Sequence, residues 1–135
     1  MPGYESGQFI ADAKIAYDHW RDMNKTNRAL INKYGKGAAR GTDDYYHALL
    51  QCQLAKLSEA DRINGLWMGY AKEMPFDYFR KRLSGMSDAD AEKDGLKDLQ
   101  NNLNGSNMGA YNKNTPCYIS LGHLITENMK NANIK

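Results

Sequence analysis

Apolar side chains recur at three- and four-residue spacing along most of this chain, the period of a helix packed on one side. Phe9, Ile10, Ala13, Ala16, Tyr17, Trp20 and Met23 make the first stripe. Ser6 precedes it as a candidate cap, Leu30 and Tyr34 extend it, and Gly35-Lys36-Gly37 ends it in the way glycine closes helices. A second helix is predicted from Thr42, a capping residue followed by Asp43 and Asp44 where the helix dipole favours acids, and it runs through Leu50 and Leu54 to Leu57. Ser58-Glu59-Ala60-Asp61 has the form of a capping box and opens a third helix. Ile63, Leu66, Trp67, Tyr70 and Met74 share its apolar face, and Pro75 marks its end or a kink.

Ser87, with Asp88 and Asp90, starts a fourth helix whose apolar positions are Leu96, Leu99 and Leu103. Its close is predicted at Asn102-Leu103-Asn104-Gly105, with Gly105 in the left-handed conformation that glycine adopts freely. The polar run from Asn104 to Asn114 predicts a long loop of the kind that often carries function. Thr115-Pro116 then sets cap and first-turn proline for a last helix through Ile119, Leu124 and Ile125. No sustained alternation of β-branched residues occurs, so the predicted class is all-α, with residues 1–135 forming a single-domain bundle of about five helices.

Composition narrows the function classes. A chain of 135 residues with 41% hydrophobic and 25% charged residues buries a real core without help from metal or disulfide, and it is not disordered. A net charge of +2 with no run of like charges speaks against nucleic-acid binding. No apolar stretch approaches the ~20 residues of a transmembrane helix. The N-terminus lacks the basic-then-apolar layout of a secretory signal, so export would use another route. Cys52 and Cys117 form no CxxC pair, which removes sequence support for a zinc site and leaves the redox compartment open. No GxSxG elbow, HExxH helix, phosphate loop or EF-hand loop is present.

Three polar pairs stand one helical turn apart: Asp43 with His47, Glu73 with Asp77 around Pro75, and Asp98 with Asn102. An aspartate one turn from a histidine can fix its tautomer and raise its basicity, which suits a general base or a metal ligand. The same spacing is common on solvated faces, where Asp43 is a first-turn acid and Glu73 the partner of a lysine. His19 beside Asp18 reads as a surface residue, and His123 after Gly122 is a further candidate for the cleft. Tyr45, Tyr46, Tyr70 and Tyr78 either line a sugar-binding groove or sit at the core edge with their hydroxyls in water.

The order of these pieces carries more than any one of them. Asp43-Asp44-Tyr45-Tyr46-His47-Ala48-Leu49-Leu50-Gln51-Cys52, then Ala71-Lys72-Glu73, then Asp98 through Asn102 to Gly105, resembles the C-terminal toxin domains of bacterial Rhs and other polymorphic toxins. Those domains carry D-x-[YF]-x-H, a later K-E or H-E, and D-x3-N-x2-G in this order, and the resemblance covers Asp43 to Gly109. It marks Asp43, His47, Glu73, Asp98, Asn102 and Gly105. Many members place a cysteine directly after the histidine and another four residues later; Ala48 replaces the first here and Cys52 matches the second, which argues against a catalytic cysteine beside His47. Cys52 is then a core residue or the partner of Cys117.

The resemblance implies a secreted antibacterial effector, either stand-alone or excised from a larger carrier, exported without a signal peptide through a route such as type VI secretion and otherwise cytoplasmic. A cognate immunity protein and a secretion-system carrier are the implied partners. The expected activity is hydrolysis in the cell envelope, with peptidoglycan glycan favoured over lipid or peptide bonds. His47 acts as general base or metal ligand, Glu73 as general acid or base, and Asp98 and Asn102 position substrate or water, with Asp43 and Gly105 in support. On a glycan, Glu73 and Asp98 would be the two acids. Metal and cofactor stay open. The alternative is a non-catalytic helical binding module whose polar residues form a structural network. Catalysis predicts that Asp43, His47, Glu73 and Asp98 converge.

Overall fold

Residues 6–72 and 78–132 are described by the computed structural model, and they contain no strand, in keeping with the all-α expectation. The helices are α1 (Ser6–Tyr34), α2 (Thr42–Leu57), α3 (Glu59–Ala71), α4 (Tyr78–Leu83), α5 (Asp88–Tyr111), α6 (Cys117–Ser120) and α7 (Glu127–Asn131), with a 3-10 turn at Gly122–Leu124. The four long helices begin close to where the periodicity puts them. Ser58 and Ser87 cap α3 and α5 as expected, their hydroxyls accepting from the backbone N–H of Asp61 and Asp90. Thr42 does not cap α2: Gly41 takes that position at φ 86, and Thr42 is the buried first residue of the helix. The single last helix predicted after Thr115-Pro116 is broken into α6, the 3-10 turn and α7, and the short α4 was not predicted.

α2 lies at the centre. Nine of its 16 residues are buried and they point in every direction around the axis, so α1, α3, α5 and α6 all pack against it. Leu30 of α1, Tyr45 and Ala48 of α2, Leu121, and Met129 of α7 fill one cluster with Cys52 and Cys117, which are joined in a disulfide. Each fully buried Leu or Met there contributes roughly 1.5–3 kcal/mol. The disulfide pins the short C-terminal helices to α2; helices of four and five residues have no stability of their own.

The packing of α5 differs most from the expectation. Its buried residues are Ala91, Gly95, Asn102, Gly105, Ser106 and Gly109, while Leu96 and Leu103 are exposed. The predicted close at Gly105 and the predicted loop from Asn104 are both wrong: α5 continues unbroken to Tyr111, and only Asn112 to Pro116 separates it from α6. Gly105 is a right-handed, mid-helix residue. A Cβ on it would lie 2.2 Å from the Ala48 carbonyl oxygen, and one on Gly109 would lie 2.1 Å from that of Cys52. Asp44, Ala48 and Cys52 thus meet Asn101, Gly105 and Gly109 in steps of four along both helices, so α2 and α5 run parallel with backbones in direct contact. Glycine is placed here for its lack of bulk, at a helix-propensity cost of roughly 0.5–1 kcal/mol per residue.

α1 and α3 also run parallel, held by polar contacts: Gln8 donates to Asp61 at 3.1 Å and Asn64 donates to Asp12 at 2.9 Å. Asp12 is 1% exposed, and its carboxyl shares a hydrogen bond with Asp61. Burial pushes the Asp12 carboxyl above its ordinary range. Burial opposes ionisation of Asp61 as well, but the bonds it receives from Ser58, Asp12 and Gln8 hold it low. Because Asp12 binds its proton more tightly folded than unfolded, its contribution is full at acid pH and is lost as pH rises through the raised value. Asp12→Asn mimics the protonated acid. The variant is expected to melt a few degrees above wild type at pH 7, with the difference vanishing toward pH 3 in a series of thermal melts.

Candidate functional site

His47 lies on α2 one turn before Gln51, and the chain surrounds it with three other helices. A cleft of about 100 Å3 is lined by Ala16, His19, Trp20 and Met23 of α1, Tyr46, His47, Leu50 and Gln51 of α2, Met68 and Gly69 of α3 with Lys72 just beyond, and Asn102 of α5. The volume admits a few water molecules or one small group. Trp20, Met23, Leu50 and Met68 contribute apolar lining beside the polar groups of His19, His47, Gln51, Lys72 and Asn102.

Lys72 Nζ is 3.4 Å from His47 Nε2. An ammonium group only donates, so in this contact Nε2 accepts and the ring proton sits on Nδ1. His19 donates its Nδ1–H to the Ile15 carbonyl at 3.0 Å, which leaves Nε2 as its basic nitrogen. Gln51, 1% exposed, donates to the Gly65 carbonyl at 2.8 Å, while its Oε1 has no hydrogen-bond partner among the described residues. Asn102 is buried against Gly69: a Cβ there would meet Asn102 Nδ2 at 2.5 Å and Gln51 Nε2 at 3.1 Å. The glycine at 69 lets two amide side chains reach the cleft. Tyr46 is held by a 2.7 Å bond between its hydroxyl and that of Thr26.

Comparison with protein-family models, curated proteins and solved structures finds no match to this chain. The site therefore rests on its own geometry.

Of the residues marked in the sequence, His47 and Asn102 meet in the cleft. Asp43 is exposed and accepts from Asn27 at 3.4 Å. Asp98 is held by Lys81, 3.4 Å away, which also reaches Asp94 at 2.8 Å. Neither aspartate lines the cleft. Glu73 and Asp77 lie outside the described residues, as does Pro75; Glu73 follows Lys72 directly in the chain. Gly105 does not line the cleft; it lies at the close approach of α5 to α2. Asn102 lies in the middle of α5, not at the helix end where the sequence put it. His123 is exposed on another face and does not join the cleft.

Three residues that line the cleft are not singled out by the sequence as candidates. His19, on the Trp20 helix beside Asp18, reads in the sequence as a surface residue, yet it is half-buried and lines the same space as His47. Gln51 sits one turn beyond His47, the same four-residue spacing that singled out the other pairs, and that spacing could have found it. Lys72 precedes Glu73 inside the K-E pair, where the carboxylate is the more obvious acid–base candidate. Tyr45 is fully buried with its hydroxyl unpaired among the described residues, so it does not reach water as a core-edge tyrosine would. No group of three or more metal-ligating side chains occurs among the described residues, and no helix there is long and apolar enough to cross a membrane.

Proposed function

We propose that this chain is an antibacterial effector domain that hydrolyses a cell-envelope polymer, its glycan favoured, at the His47 cleft. The observation that carries the reading is that His47 opens into a partly enclosed space together with His19, Gln51, Lys72 and Asn102, drawn from four helices. His47 takes a proton from water as the water oxygen attacks the scissile bond, and Glu73 supplies the leaving group's proton. Gln51 and Asn102 orient the water and the substrate. Asp98, engaged by Lys81, acts through the position of α5 and not as the second acid.

The Cys52–Cys117 disulfide supports an oxidising destination such as the bacterial envelope, since such bonds are kept reduced in most cytosols. A cognate immunity protein and an export carrier belong to the same reading. Periplasm-directed expression of the chain is expected to arrest growth where cytoplasmic expression does not. His47→Ala should abolish the arrest while changing the unfolding free energy by less than ~1 kcal/mol, and chromatography of digested envelope identifies whether glycan, peptide or lipid bonds are cut. A stability loss of roughly 1–3 kcal/mol in His47→Ala that accounts for the whole loss of effect would overturn the enzyme reading.

The second reading, a non-catalytic binding module, is favoured by the closed polar contacts away from the cleft. Asn64 with Asp12, and Asp44 with both Asn101 at 3.0 Å and Lys97 at 3.2 Å, lock helices together in the manner of a structural network. Envelope that yields no new products alongside a growth arrest selects this reading.

A further inference from the structure

The stretch whose composition predicts a polar loop lines a second groove, different in composition from the His47 cleft. Asn101, Asn104, Asn107, Tyr111 and Asn112, on α5 and at its end, line a groove of about 430 Å3 with His123 opposite them. Volumes of ~300–1,000 Å3 are typical of small-ligand sites, whereas the His47 cleft is too small to hold more than the reacting group.

Two independent features point to a ligand. Asparagine is a poor helix former, and exposed helical positions ordinarily carry Ala, Lys or Glu. Asn102, Gly105 and Gly109 have packing reasons to be where they are, and Asn101 donates to Asp44. Asn104 and Asn107 are exposed and have no such reason. A local rule broken without a structural gain is expected at a functional position. The second feature is charge: from Leu99 to Asn112 the chain contains no Asp, Glu, Lys or Arg. No Lys, Arg, Asp or Glu lines the groove, so a phosphate or carboxylate ligand would meet there no group of fixed positive charge, only the His123 imidazole.

We propose that this groove binds an uncharged oligosaccharide. Each asparagine amide offers two donors and an acceptor, which matches hydroxyl and acetamido groups. Tyr111, 83% exposed, presents an aromatic face beside those amides, and Met108 adds apolar lining, which together suit the C–H surface of a sugar ring. The assignment concerns a separate site and stands whether or not the His47 cleft is catalytic.

The test is calorimetric and NMR titration of the full chain with two probes, the N-acetylglucosamine tetramer and cellotetraose. Saturable binding of either is expected, weakened roughly tenfold or more by Asn104→Ala/Asn107→Ala and by Tyr111→Ala. These exposed substitutions raise or preserve helix propensity, so the variants fold, which melts will verify. Repeating the titration in His47→Ala separates groove binding from hydrolysis. Absence of binding by both sugars, binding that the groove variants leave unchanged, or titration of the groove by tetra-alanine in place of either sugar would each overturn the proposal.

Discussion

Gly105→Ala is expected to destabilise the protein by about 3 kcal/mol or more, the severe end of overpacking, or to abolish folding. Helix propensity alone predicts the opposite sign, since alanine is better than glycine in a helix interior by about 1 kcal/mol. The clash decides. The new methyl carbon would stand 2.2 Å from the Ala48 carbonyl oxygen, 2.7 Å from its Cα and 2.8 Å from its carbonyl carbon, all backbone atoms with no rotamer to escape into. α2 and α5 must separate, and α2 is the helix on which the other long helices pack. Gly109→Ala repeats the conflict against Cys52. Gly7 is the control: it lies in α1 with nothing within 4 Å of a Cβ, so Gly7→Ala should be neutral or slightly stabilising. Chemical denaturation of the three variants measures all of this, and an unchanged midpoint in Gly105→Ala would refute the close approach of the two backbones.

Loss of the Cys52–Cys117 bond is expected to cost about 4 kcal/mol, from the chain-entropy relation applied to its 65-residue separation. Cys52 belongs to the central helix and Cys117 to a four-residue one, so the bond is the covalent tie between the core and the C-terminal segment that carries Leu121 and Met129 into it. In Cys52→Ala/Cys117→Ala, or on reduction, residues 117–132 should lose amide-exchange protection before the long helices do. Melts with and without reductant read the global effect. A reductant-insensitive melt of a fully oxidised sample would mean that the segment holds to α2 by packing alone. The same bond links stability to compartment: a chain made in a reducing cytosol would be the weaker form and an oxidised one the stronger.

How far the candidate site was legible follows from the same packing. His47 and Asn102 were singled out by spacing and order, and they do face one cleft. Asp43 and Asp98 share their turns with those residues but point elsewhere, because one helical turn fixes a common face only to within the width of that face. Asp43 faces α1 and Asn27; Asp98 faces α4 and Lys81. His19 could not be found this way, as its place depends on how α1 lies across α2.

The sequence by itself determined the class, the starts of the long helices and the caps at Ser58 and Ser87, because these depend on local periodicity and on side chains meeting backbone groups three residues away. Tertiary structure alone decided which face of each helix is inside. On α5 the apolar stripe of Leu96 and Leu103 is exposed, and the interior face is made of glycine, alanine, serine and asparagine. On α1 the exposed side carries Ile10, Tyr17 and Trp20, while Asp12 is buried. Hydrophobicity predicts burial when helices meet through large side chains. Here α2 and α5 meet through their backbones, and contact at that distance selects small residues whatever their polarity. The glycines that looked like helix ends were the sites of closest packing, and only the neighbouring helix could reveal it.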